Sequence, residues 1–196
     1  MANGRVITGF SKPYVAKYTA TPTTGGVTIT YSSGQVLARG VEVQIEPETT
    51  DNNKFYADNI VAENESGVFT GGTLTLTVDG LKDAANVLIY GLPAVTGNWY
   101  NYDNTQAIPY VGFGCVIRVQ EAGTVTYVPV VLPKIMFNET GTTAATQEDQ
   151  IDWQTQELTA QIFRDDSAAQ VWKKLGVGQS TEAAAETMIK TFLSIS

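Results

Sequence analysis

Histidine is absent from all 196 residues. Ser-His-Asp and Cys-His catalytic sets and imidazole-based zinc sites are thereby excluded, because each needs a group that titrates near neutrality or a ring nitrogen that ligates. Cysteine occurs once, as Cys115, so no internal disulfide can form. Its place in the apolar run YVGFGCVIRV predicts a small buried core side chain. Charge is scarce at 16% of residues, and positive charge scarcest, with 12 Lys and Arg against 20 Asp and Glu. A net charge of −8 repels phosphate backbones, so sequence-specific nucleic-acid recognition is not expected. No stretch approaches the roughly 18 apolar residues of a membrane-crossing helix, and MANGRVITGF lacks the apolar core of a signal peptide. The expectation is a chain made in the cytosol, with no membrane partner.

Uncharged Thr, Gly, Asn and Gln fill the gap, a composition suited to pleated strands and tight turns. The length predicts a single domain over 1–196. Short period-two runs alternate with turn signals in GVTITY (26–31), VEVQIE (41–46), FYADNIV (55–61), TLTLTV (73–78), GCVIRV (114–119), TVTYVPVV (124–131) and ELTAQIF (157–163). This is the pattern of an antiparallel β domain. In VEVQIE, Val41, Val43 and Ile45 point to one side, while Glu42, Gln44 and Glu46 make a wet face. Pro129 lacks the N–H a ladder needs, so its strand is expected to be an edge there or to bend.

A helix is expected in LKDAANVLIYG (81–91), with Leu81, Ala84, Ala85 and Leu88 on one stripe and Gly91 and Pro93 as stop signals. A second is expected in DDSAAQVWKKLG (165–176), capped by Asp165, Asp166 or Ser167. A third, in TEAAAETMIKTFLS (181–194), would present Ala185, Met188, Ile189 and Phe192 to a partner surface, making 165–194 a helical C-terminal segment. TPTTGG, TGNWYNYDNTQ (96–106) and NETGTTAATQEDQ (138–150) show no periodicity. The last is polar and Thr-rich, which predicts an assembly loop that orders against a partner.

Tests for chemistry come out negative. DNNKFYADNIVA places Asp51 and Asn53 at the first and third positions of a calcium loop. Phe55, Tyr56 and Ala62 then stand where an oxygen ligand, Gly and a bidentate Glu are required. Carboxylate pairs suited to glycoside hydrolysis are generic in an acidic β protein. GFGC lacks the third glycine and the strand-to-helix context of a dinucleotide loop, and GVGQST lacks the lysine of a phosphate loop. Gly112 and Gly114 instead suggest a bulge or a close backbone approach. Trp99, Tyr100 and Tyr102, interleaved with amides, are suitable platforms for sugars, but burial against the core or a neighbouring subunit is the favoured reading. The expectation is a protein without catalytic residues, metal or cofactor.

The order of these segments resembles the major tail proteins, or tail tube proteins, of long non-contractile-tailed bacteriophages. The resemblance begins at GFSKPYVAKY and runs through GVTITY, VEVQIEPE, KFYADNIVAEN and GVFTGGTLTLTVDGLKDAANVLIYG. It resumes at YVGFGCVIRV and IDWQTQELTAQIFRDD. It implies a mainly β fold, a β-sandwich or partly closed barrel with a flanking helix, assembled as hexameric rings stacked into a hollow tube through which DNA leaves the virion. Implied partners are other copies of the chain, a tape-measure protein, tail-terminator and baseplate proteins, and viral DNA in non-specific transit.

On that footing, Glu42, Gln44 and Glu46 would line the bore. Phe55, Tyr56, Asp58, Asn59, Trp99, Tyr100 and Tyr102 would lie at subunit interfaces. Alternative readings are the tube of a contractile injection or secretion machine, or a carbohydrate-binding β-sandwich that decorates the virion.

Overall fold

The computed structural model describes residues 4–51, 53–57, 59–65, 67–93, 95, 97–141 and 154–195, the side chains of 53–57 and 60–65 excepted. In chain order the elements are β1 (Arg5–Thr23), β2 (Gly26–Val36), β3 (Gly40–Thr49), β4 (Asn53–Ala57), β5 (Ile60–Glu65), β6 (Phe69–Val78) and α1 (Asp83–Tyr90). They are followed by β7 (Val111–Glu121), β8 (Thr124–Phe137), β9 (Gln156–Phe163), β10 (Lys174–Leu175) and α2 (Glu182–Phe192). The expected mainly β class is correct.

One antiparallel sheet dominates, in the order β2-β1-β7-β8-β9-β6-β3, with β10 added to β8. The consecutive strands β2 and β3 stand at its opposite ends, yet only Leu37–Arg39 join them. Six inter-strand steps of about 4.8 Å would hold flat edges about 29 Å apart, whereas the connection reaches about 14 Å at most. The sheet therefore curls until its edges meet at that corner. Leu37 and Ala38 are buried at the seam, and the Phe10 ring of β1 lies against Gly40 of β3.

Inside the curl lies the main core: Leu74, Leu76, Val78, Phe113, Cys115, Leu132, Ile135, Phe137, Leu158 and Ile162. Helix α1 packs on it through Ala85, Ile89 and Tyr90, and Gly91 closes the helix in the left-handed conformation (φ 60°). Ala84, expected on the buried stripe, is exposed, because the helix is rotated so that Ile89 and Tyr90 face inward.

A second, smaller core lies on the sheet's outer face. There Ala185, Ile189 and Leu193 of the α2 segment pack on Tyr14, Ala16, Val116 and Val131, while Met188 is exposed. The glycines of GFGC let the helix come this close: a Cβ at Gly114 would stand 2.4 Å from Ile189 Cγ2, and one at Gly112 would stand 2.7 Å from Leu193 Cδ2. Cores on both sides explain why Val111–Val116 is buried without alternation.

The sequence-based expectations need several corrections. Residues 165–176 form no helix. The buried Asp165 turns its carboxylate on its own segment, and Oδ1 accepts from Ser167 N (3.2 Å), Ser167 Oγ (2.6 Å) and Val171 N (2.9 Å). An aspartate bonded in this way closes a turn that competes with helix. Lys174 and Leu175 then pair with Val131 and Val130, so only Glu182–Phe192 of the 165–194 segment is α-helical.

KFYADNIVAEN is a hairpin and not one strand: Ala57 opposes Ile60, with Asn59 at φ 64° in the turn between them. Val41, expected to face inward with Val43 and Ile45, sits at a register shift and is exposed. The 19-residue β1 has no counterpart among the expected strands, because Pro13, Pro22 and the left-handed Lys12 (φ 57°) break its alternation.

Pro129, expected at an edge or a bend, is instead flanked on both sides, by Val116 of β7 and by the segment that carries β10. Its carbonyl accepts from Gly176 N (2.8 Å) beyond the end of β9, and N and C=O of a strand residue point to the same side. The missing donor therefore faces the short β10 and spares the ladder with β7.

Candidate functional surface

The strands β3, β6 and β9 carry a polar lattice on the sheet's outer face. The inward residues of β6 and β9, Leu74, Leu76, Val78, Leu158, Ala160 and Ile162, are fully buried. Strand geometry then sends the intervening residues outward. Register aligns them in rows: Glu42, Thr77 and Glu157; Gln44, Thr75 and Thr159; Glu46, Thr73 and Gln161. Such cross-strand partners share one face. All are exposed or half-exposed, and none is cationic or apolar. Gln44 Nε2 donates to Glu46 Oε1 (2.6 Å), and Asn138 Nδ2 donates to Thr159 Oγ1 (3.2 Å). Among the described residues, Glu42, Glu46 and Glu157 make no ion pair, so the lattice keeps its negative charge.

The other half of the same face is covered. Residues 164–195 form an arm held by its carboxylates as well as by its second core. Asp166 Oδ2 accepts from Tyr18 Oη (2.8 Å) and Lys134 Nζ (2.8 Å). Glu182 accepts from Ser11 Oγ, and Glu186 accepts from Tyr14 Oη (2.5 Å) with Lys12 Nζ at 3.4 Å and Lys190 Nζ at 3.1 Å.

These partners shift the ionisation of both sides. Lys134, with help from Tyr18, holds the Asp166 carboxyl below its ordinary range, and the Tyr14 hydroxyl, then Lys190 and Lys12, do the same for Glu186. Burial pushes the Tyr18 phenol up to about 12; the Asp166 backbone N–H works against that rise and the Asp166 carboxylate adds to it. Burial alone lifts the Cys115 thiol to about 12, making it a core side chain with little thiolate.

The expected site residues fall in three places. Glu42, Gln44 and Glu46 are exposed together, in one column of the lattice. Phe55 and Tyr56 lie in β4 with side chains outside the described set, and Asp58 is outside the described residues; Asn59 is exposed in the turn. Trp99 (73% exposed), Tyr100 (37%) and Tyr102 (52%) stand on the surface, which overturns their burial against the chain's own core.

Tyr102 Oη accepts from Asn86 Nδ2 of α1 (3.1 Å) and borders a groove of about 590 Å³ shared with Asp79, Asp83, Tyr90 and Glu157. Of the loop expected over 138–150, Asn138–Gly141 is described and 142–150 lies outside the described residues.

The sequence reading missed the other two columns, Thr73, Thr75 and Thr77, and Glu157, Thr159 and Gln161. The alternation in TLTLTV and ELTAQIF carried the signal, but which strands would adjoin β3 is a matter of topology.

Among the described residues no helix is long and apolar enough to cross a membrane. Comparison with protein-family models and with curated proteins finds no match for this chain.

Proposed function

We propose that this chain is a structural subunit that polymerises with its own copies into stacked hexameric rings, forming the tail tube of a long non-contractile-tailed phage. The lattice of β3, β6 and β9 would line the bore through which DNA is ejected. One observation carries this reading: three aligned rows across β3, β6 and β9, left open and furnished only with hydroxyls, amides and carboxylates. A duplex with about one negative charge per 1.7 Å of axis finds no cation to hold it on such a surface, and its bases find no apolar platform. Six copies at −8 each carry −48 per ring.

On this reading the curled sheet belongs to the tail-tube type of sandwich or partly closed barrel. The protein resides in the virion, has no catalytic role, and meets the tape-measure, terminator and baseplate proteins.

Negative-stain microscopy of the purified chain tests the proposal. Rings or tubes of six-fold symmetry are expected, with Glu42, Gln44 and Glu46 facing the axis. A monodisperse monomer at every concentration, or those residues on the outer wall, defeats it. Rings with a surrounding sheath would instead assign the chain to a contractile injection machine. The exposure of Trp99, Tyr100 and Tyr102 favours a second reading, carbohydrate binding by a virion surface domain. Glycan-array binding that Trp99→Ala abolishes would establish it.

A further inference from the structure

Among the described residues, two parts besides the open edge of β3 are unfinished as β structure. The first is the outer edge of β2. Among the described residues Gly26–Val36 (GVTITYSSGQV) pairs with β1 on one side only; it contains no charged residue and no proline, and its register irregularity lies near its end, around Ser33 (φ 53°). An edge of that length is ordinarily guarded by charge, proline or a bulge that hinders pairing with another chain. Its far end is partly occupied, since Ile195 packs against Gly34 and Gln35 Nε2 donates to Ala84 O. Among the described residues no strand pairs with the outer backbone edge of Gly26–Tyr31, although the Tyr31 side chain is held by Phe192 and by Pro133 O, and Thr28 and Thr30 are exposed along it.

The second is the hairpin β4–β5, which pairs with no third strand among the described residues. A lone two-stranded hairpin is marginally stable and gains most from a further strand.

Charge decides between the edges this hairpin could join. The hairpin and its turn carry Lys54 against Asp58, Glu63 and Glu65. The open edge of β3 carries Glu42, Glu46 and Glu48, so pairing there would set acids against acids. The edge of β2 is neutral. We infer that the β4–β5 hairpin of one copy adds to the Gly26–Tyr31 edge of a second copy, completing both sheets by main-chain pairing between subunits. This names the contact by which copies join and so rests on the proposed self-assembly.

The test is hydrogen exchange on the full-length chain, assembled and dilute, with two variants. In the wild type, amides 26–31 and 53–65 should gain protection together on assembly, by at least tenfold in exchange rate. Thr28→Lys/Thr30→Lys should leave the monomer's thermal unfolding unchanged and abolish both gains, whereas Thr28→Val/Thr30→Val should keep them. Tubes in which 26–31 stay unprotected, or which tolerate the lysines, overturn this contact and leave the tube reading intact. Joint protection in a closed dimer that never forms rings supports the contact and overturns the tube. A monomer at all concentrations overturns both.

Discussion

The outer face of one curled sheet is roofed on β1, β7 and β8 and bare on β3, β6 and β9, although both halves rest on the same inner core. The roofed half presents Tyr14, Ala16, Val116 and Val131 outward, and the arm buries them. The bare half presents Thr, Gln and Glu at the equivalent positions. Outward residue chemistry thus decides what a strand needs: apolar residues demand a cover, and hydrophilic ones are satisfied by water. The bare half is therefore free to serve as a working surface.

Substitutions should separate the halves sharply. Ile189→Ala, at the centre of the roof, is expected to cost about 2–5 kcal/mol in urea unfolding, because it empties a fully buried site. Next comes Asp165→Ala, which strips the partner from the Ser167 and Val171 donors; a loss of about 1–3 kcal/mol is expected by the same measurement.

Acid should loosen the roof before the bare half. The folded-state pKa values of Asp166 and Glu186 are depressed from ordinary values of 3.8 and 4.5. Their contribution to stability is therefore complete above those values and disappears as the pH falls through the folded ones. Hydrogen exchange between pH 6 and pH 3 should show the arm opening before β3, β6 and β9, and Glu186→Gln should flatten that dependence. The smallest effect is expected on the bare half. Thr75→Ala should change stability by no more than about 0.5 kcal/mol, since it trims an outward, partly exposed side chain. A larger cost there would mean that the lattice is structural.

Legibility followed range along the chain. Strands with clean alternation, such as VEVQIE and TLTLTV, were readable because period two is local. The stripe of α2 was readable in part, because 3.6-residue periodicity is local: Ala185 and Ile189 are buried, whereas Met188, expected beside them, is exposed; the cap at Thr181, whose Oγ1 accepts from Ala184 N (3.3 Å), emerged only from the structure. The helix expected over 165–176 failed at Asp165, whose carboxylate meets the helix-capping pattern yet closes a turn. What tipped that balance was outside the segment. Trp172 stacks on Phe69 (4.4 Å between ring centroids), and the backbone of 174–176 completes the open side of β8.

Composition and periodicity alone determined that this is a mainly β chain without imidazole or disulfide chemistry, with Cys115 inside and Glu42, Gln44 and Glu46 in water. Those are properties of single residues and their near neighbours. Only the tertiary structure decided that all the strands but β4 and β5 join one curled sheet, that the arm roofs one half of it, and that Thr73, Thr75, Thr77, Glu157, Thr159 and Gln161 join the three into a lattice. Strand order and register come from contacts between residues distant in the chain, and local preference carries no record of them.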